Sequence, residues 1–218
     1  MEIIVKGSAE KYFTPDEIIL NFNFYVKGYT YEEVLEHGTN NVYNFINEFL
    51  IKEGFNKEDL KTRSFLIKEE TKYNESTRKY DRDGYSFNQS ATLKFDYDKD
   101  KLARMMSSLS TLSIYPKCQI DFGVKDEKSV RRSILALAYN DAKEEANAIA
   151  KAAGLELDEC VKVDFKPFTT EYVSHSHMDS EMMMKTARFG ATPDKINAIF
   201  TPEDILITET LYTLWETK

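Results

Sequence analysis

The stretch from Glu127 to Gly154 constrains the fold more than any other part of the sequence. Alanine recurs at every fourth position from Ala138 to Ala150, and Ile134 continues this row toward the amino terminus. Because residues four apart lie on one side of an α-helix, the spacing predicts a single long amphipathic helix. The apolar stripe is expected to be widened by four further residues: Val130, Leu137, Ile149 and Ala153.

Signals at both ends bound this helix. Asp126 is a predicted N-cap, because its carboxylate can accept hydrogen bonds from the first turn, and Gly154 suits the left-handed C′ position. Charged and amide side chains between Asn140 and Lys151 suit solvent. The small alanine side chains let the helix backbone approach a neighbour closely, and we predict that this neighbour is a sheet.

Alternation of apolar and polar residues predicts the strands around this helix. The clearest strand is Ile18 to Val26, which has one apolar and one polar face, as is typical of antiparallel sheets. A capping box at Thr30 and Glu33 begins a helix that is predicted to end at Gly54. Further strands are predicted at residues 2–6, 61–71, 85–95, 114–124, 159–166 and 205–215, and another helix at 98–109.

The order ββαββαβαββ predicts an α+β fold with antiparallel sheets, whose long hairpin strands are covered by helices. We predict a single domain over residues 1–218. Residues 7–14 are predicted to be a connection, and the charged residues 72–84 a mobile hairpin tip. Residues 167–198 are predicted to be a long loop with one helix near Met182 to Arg188, and loops of this length are usually functional or disordered.

The charge balance limits the partners. The formal net charge of -8 argues against a general nucleic-acid surface and against attachment to anionic lipid. No apolar run is long enough to span a bilayer, and Met1 leads into a strand-like segment without a secretory signal, so we expect a cytoplasmic protein. Cys118 and Cys160 each lie in an alternating segment, which predicts buried thiols in a reducing compartment.

Motifs for catalysis are missing from the sequence. It has no nucleotide-binding glycine loop and no hydrolase or metalloprotease motif, so no catalytic residue and no cofactor is predicted. His175 and His177 are the candidate metal ligands, because residues two apart in an extended chain share a face and imidazole with nearby methionine thioethers suits copper. Alternatively, this methionine-rich segment covers an apolar patch or contacts a partner. His37 is predicted to flank a helix without an acid–base partner.

Three further patterns bear on contacts. Arg131 and Arg132, near a helix start, are predicted to be exposed, with an anion or acids across an interface as alternative partners. The similar segments Phe13–Leu20 and Phe200–Ile207 predict two strands that start alike, in neighbouring positions of one sheet. Tyrosine suits interfaces, although sheet propensity explains its frequency in the first half equally well. The tyrosines concerned are Tyr25, Tyr29, Tyr31, Tyr43, Tyr73, Tyr80 and Tyr85.

Taken together, these features resemble the SIMPL-domain (DUF541) family, which includes bacterial periplasmic immunogenic and oxidative-stress-associated proteins and an animal kinase-associated adaptor. The resemblance covers nearly the whole chain, and the alanine row that ends at Gly154 is its most specific mark. Glu203 departs from the pattern, because relatives often have glycine after the last proline. The remaining marks are Val5 with Gly7, Pro15-Asp16, Thr30 with Glu33, Gly54 with Asp59 and Thr62, Tyr85, and Tyr212 after Pro202.

The resemblance implies an α+β fold, self-association, and a link to stress tolerance or protein interaction. It supplies no catalytic residue that could be carried over. Our first hypothesis is therefore a non-enzymatic homo-oligomer that acts as a scaffold or interaction module and has a protein partner. The alternatives are a small-ligand or enzyme domain with a pocket between sheet and helices, and a metal-binding protein that uses His175 and His177.

Overall fold

The computed structural model describes residues 1–168 and 199–218. The predicted order ββαββαβαββ is confirmed, with a π-helical turn at Ile46–Leu50 and a 3-10 turn at Lys57–Asp59. The elements are β1 (Glu2–Phe13), β2 (Glu17–Gly28), α1 (Tyr31–Phe45), β3 (Lys61–Asn74), β4 (Lys79–Asp96), α2 (Lys99–Leu109), β5 (Lys117–Gly123), α3 (Glu127–Ala152), β6 (Leu157–Asp164) and β7 (Ile205–Thr217).

The described residues divide into two compact units, and each unit contains one antiparallel sheet. The first unit comprises residues 1–14, 124–168 and 203–218, and its sheet has the order β1-β7-β6. The second comprises residues 15–123 and 199–202, and its sheet has the order β3-β4-β2-β5. The predicted α+β class is therefore confirmed, whereas the single domain over 1–218 stays a prediction.

In the first unit, α3 packs on β1 and β7 through the predicted alanine row. Ala138, Ala142, Ala146 and Ala150 are completely buried and contact a cluster that includes Trp215. The Asp126 carboxylate accepts a hydrogen bond from the Ser129 amide at 3.0 Å, and Gly154 has a φ of +73° after the last turn. The helix boundaries, its buried face and its sheet neighbour thus follow the sequence prediction.

The buried stripe of α3 is narrower than predicted. Leu137 is 50% exposed and Ile149 is 45% exposed, so these two residues do not widen it. Four residues turn an α-helix by about 400°, so a row of every fourth residue drifts around the axis by about 40° per step. Leu137 and Ile149 each come one residue before a buried alanine of the row, so each side chain lies about 100° around the axis from the contact line at its own level.

Gly7 permits the close approach of β1 to α3. A Cβ atom added at Gly7 would lie 2.0 Å from the Ala138 carbonyl oxygen and 2.6 Å from the Ala142 Cβ. Both distances are far below van der Waals contact, so even the smallest side chain would push the helix away from the strand. The backbones of α3 and β1 are therefore in contact at this point, and neither Gly7 nor the alanines that it faces can be replaced by a larger residue.

In the second unit, the core lies between one face of the sheet and the helical segment that follows β2. The alternating residues of β2 direct Phe22 and Phe24 into it, and both rings pack against Phe45, with centroid distances of 4.8 and 5.1 Å. The Glu33 amide donates to the Thr30 hydroxyl at 3.2 Å, and the Glu33 carboxylate accepts from the Tyr29 amide at 2.9 Å. The capping prediction is confirmed, with its return bond displaced by one residue.

Several predicted boundaries were wrong. β1 continues to Phe13, because residues 7–13 pair with residues 205–211 of β7. Residues 72–84 belong mostly to β3 and β4, and only residues 75–78 form the turn. The similar segments at Phe13–Leu20 and Phe200–Ile207 lead into different sheets, since β2 and β7 are not in one sheet. In each case pairing between strands decided the outcome, and the residue pattern of one segment does not report its partner.

The close contact at Gly7 leads to a prediction about stability. Replacing Gly7→Ala should lower the free energy of unfolding by about 3 kcal/mol, because the added methyl group meets helix backbone that cannot move aside. Trp215 is the chain's one tryptophan and is buried in this unit, so its fluorescence during urea denaturation reports the loss. Ser8→Ala, at an exposed neighbouring position, is the control and should change stability by less than about 0.5 kcal/mol. Equal stability of the two variants would contradict this account.

Candidate interaction surface

β3 is an edge strand of the four-stranded sheet and is 14 residues long. It pairs with β4 on one side, and no other strand in the described part of the chain pairs with its second side. Phe65 and Leu66 are each 52% exposed in the middle of this strand. An edge strand presents unpaired N–H and C=O groups, so a long one with exposed apolar side chains is suited to pairing with another chain.

Two irregularities bracket the central part of β3. The register with β4 shifts between Thr62 and Ser64, where Arg63 is the extra residue in β3, and again between Glu69 and Thr71, where β4 has the extra residue. Residues 64–69 between these shifts pair regularly with residues 85–90. We call residues 64–69 the edge segment and residues 70–84 the hairpin tip.

Gly84 makes the second irregularity possible. Its φ is +90°, a conformation that residues with side chains rarely adopt. A Cβ atom added there would also lie 2.2 Å from the Gly28 carbonyl oxygen. The place at which the hairpin tip begins is therefore fixed by a glycine on β4 that lies against the end of β2.

Charged groups connect the hairpin tip to the sheet. The Lys27 ammonium donates to the Asp83 carboxylate at 2.5 Å, and this pair lowers the pKa of Asp83 and raises the pKa of Lys27. The Ser86 hydroxyl donates to the Glu70 carboxylate at 2.5 Å, and Lys68 lies 3.2 Å from it. The hydrogen bond from Ser86, followed by that from Lys68, lowers the pKa of Glu70. Lys27, Asp83 and Lys68 are exposed and Glu70 is half-buried, so solvent screens these charges and each ion pair contributes little.

Aromatic and guanidinium groups lie along the same hairpin. The Tyr73 and Tyr80 rings pack edge to face at a centroid distance of 5.3 Å. The Arg82 guanidinium lies 4.6 Å from the centre of the Tyr85 ring, which also packs against Tyr31 at 5.9 Å. Tyrosine and arginine are enriched at protein interfaces, because each combines a large apolar surface with polar groups. The hairpin thus has the composition of a contact surface.

The tyrosines named from the sequence are mostly exposed. Tyr85 is half-buried, and the other six are among the exposed large side chains of the chain. Tyr25 lies on the solvent face of β2, whereas Tyr29 and Tyr31 lie at the start of α1. Sheet propensity therefore does not account for Tyr29, Tyr31 or Tyr43, which are outside the strands.

Other residues named from the sequence have different outcomes. His175, His177 and the helix near Met182 to Arg188 lie outside the described residues. His37 is exposed on α1. Arg131 forms ion pairs with Glu127 at 2.7 Å and with Glu209 at 2.5 Å, so its partners are acids of its own unit.

The prediction of buried thiols was wrong for Cys118, which is exposed, while Cys160 is half-buried. Cys118 lies on β5, which is an edge strand and therefore has a neighbouring strand on one side only. Alternation correctly indicates a strand at this position, but it does not distinguish an edge strand from a central one. For the same reason the sequence did not identify β3 as an edge.

Within residues 1–168 and 199–218, no cluster of three or more histidine, cysteine or acidic side chains could hold a metal ion. In these same ranges, none of the helices is both long enough and apolar enough to cross a membrane.

The charged groups of the hairpin tip should make it sensitive to acid. The folded-state pKa values of Glu70 and Asp83 are lowered, so their contribution is complete above the ordinary carboxyl pKa and is lost as the pH falls through the lowered values. The protection factors for amide exchange of β4 residues 79–86, which are corrected for the slower intrinsic exchange in acid, should therefore fall modestly at acidic pH, and Asp83→Asn should remove part of this dependence. Carboxyl NMR titrations that give ordinary pKa values for both groups would contradict it.

The proposed copper ligands can be tested independently of the fold. If His175 and His177 hold copper, replacing both with alanine should abolish binding in a copper titration followed by calorimetry. His37→Ala is the matched control, because it removes one exposed imidazole elsewhere. Unchanged copper stoichiometry in the double variant would exclude the site.

Comparison with known proteins identifies the family of this chain. No curated protein matches the chain. The model of the SIMPL family, described as a protein of unknown function (DUF541), matches residues 3–211. The match spans both units and includes Gly7, Gly84 and the alanine row of α3. This chain is therefore a member of the SIMPL (DUF541) family.

Proposed function

We propose that this protein is a non-enzymatic, self-associating module that acts as a scaffold for protein contacts. The observation that carries the proposal is the long edge strand β3, with Phe65 and Leu66 exposed at its centre. Leaving such an edge open exposes a protein to pairing with other chains, and natural proteins usually cover or shorten it. A long edge strand with exposed apolar residues at its centre is therefore well suited to pair with another chain.

The hairpin tip supports the same function. It presents Tyr73, Tyr80 and Arg82 on the paired strands β3 and β4, beside the Lys27–Asp83 ion pair. Side chains held on paired strands lose less entropy on binding than side chains on an unpaired segment. These side chains would therefore contact a protein partner with little rearrangement.

Self-association can be measured directly. Light scattering of the full-length protein over a dilution series should give a molecular mass that is a multiple of the chain mass and falls on dilution. A second form without residues 169–192 should assemble in the same way, because the proposed surface lies on β3 and β4. A monomer at every concentration, together with failure to capture any protein, would refute the proposal.

Loss of assembly on removing residues 169–192 alone would move the contact from the hairpin to that segment. A monomer whose melting temperature rises with small molecules in a ligand screen would instead favour the alternative of a ligand-binding domain.

A further inference from the structure

The edge segment of β3 has an exposed backbone edge and a pattern that is complementary to itself. We propose that it pairs antiparallel with the edge segment of a second copy, about a two-fold axis at Leu66, so that two four-stranded sheets join into one continuous sheet. This inference rests on the proposed self-association and specifies the surface and register of one contact.

Symmetry restricts the possible registers. In an antiparallel pair of identical strands, the two-fold axis relates each residue to its own copy, so one residue must lie opposite itself. With the axis at Leu66, the two Leu66 side chains meet on the face away from α1. On the other face, Phe65 lies opposite Ile67 of the copy, twice by symmetry. The apolar residues at the centre of the edge segment are then all matched with apolar residues.

Neighbouring registers are less favourable. An axis at Ile67 places Leu66 opposite Lys68 and Phe65 opposite Glu69. An axis at Lys68 places two ammonium groups directly opposite each other, and such like-charge pairs are destabilising. With the axis at Leu66, Lys68 instead lies opposite Ser64, which carries no charge. Charge and hydrophobicity therefore select the same register.

The irregularities on either side limit the contact. Arg63 is an extra residue in β3, and the register changes again after Glu69, so regular pairing geometry is confined to residues 64–69. Bulges twist a strand away from a neighbour and end its pairing. The two register shifts therefore disfavour pairing along the rest of β3. Between them, the edge segment can form one short, symmetric contact.

Disulfide trapping tests the register. In a background that carries Cys118→Ser and Cys160→Ala, Leu66→Cys places two thiols opposite each other, at the Cα separation that a disulfide requires. Under mild oxidation we expect a covalent dimer to form on the order of 1,000-fold faster than random collision allows, because pairing raises the local thiol concentration from micromolar to millimolar. Thr71→Cys is the matched control, because its copies would be about 33 Å apart.

A mixed experiment distinguishes this register from any other contact near Leu66. Ser64→Cys and Lys68→Cys are both at exposed positions, and each alone would lie about 13 Å from its own copy. Neither should cross-link alone, whereas an equimolar mixture should give the Ser64→Cys to Lys68→Cys heterodimer, identified by mass spectrometry of the linked peptides.

The outcomes separate the two proposals. A multimer by light scattering in which Leu66→Cys cross-links no faster than Thr71→Cys would overturn the β3 pairing and leave self-association intact. Cross-linking of Leu66→Cys without the mixed heterodimer would overturn the register. If the background protein is a monomer at every concentration, the β3 pairing and the proposed self-association both fail. If the background loses the mass or melting temperature of the wild type, single replacements of Cys118 and Cys160 supply the reference.

Discussion

The backbone contact between β1 and α3 is the constraint on which the first unit depends. Gly7 and the alanine row must both remain small, because the Ala138 carbonyl oxygen occupies the place where a side chain of Gly7 would be. Each of the small residues at this contact buries little apolar area. The unit therefore needs Trp215 and the long β1–β7 ladder to complete its core. A helix that tolerates no larger side chain also holds the strand at a single position along its axis.

The second unit uses large aromatic residues instead of small ones. Phe22, Phe24 and Phe45 lie in its core. The two edge strands of its sheet are β3 and β5. The difference bears on the proposed surface, because the aromatic core extends as far as the edge segment. Phe65 shows the transition, since its ring packs against the buried Phe87 while half of its surface remains open.

The sequence predicted those features whose causes are local. Thr30, Asp126 and Gly154 mark helix ends through their own hydrogen bonds and backbone angles, and the alternation of β2 reports its buried face. Features that depend on which strands pair were missed: the extension of β1, the true length of the hairpin, and the edge positions of β3 and Cys118. The candidate surface belongs to this second class. Gly84 was the one local signal for it, because glycine within an alternating strand indicates a bulge.

The place of β7 in the sheet order has a consequence for synthesis on the ribosome. β7 lies between β1 and β6, yet it is the last strand of the chain, whereas the second unit is almost complete by residue 123. At a translation rate of about 5–20 residues per second, β1 waits roughly ten seconds or more for its partner. During that interval the nascent chain contains all strands of the four-stranded sheet, preceded by an amino-terminal strand that still lacks its partner. The topology thus favours folding that starts in the middle of the chain and ends with the first unit. Because the strands of that unit come from distant parts of the sequence, its contact order is high.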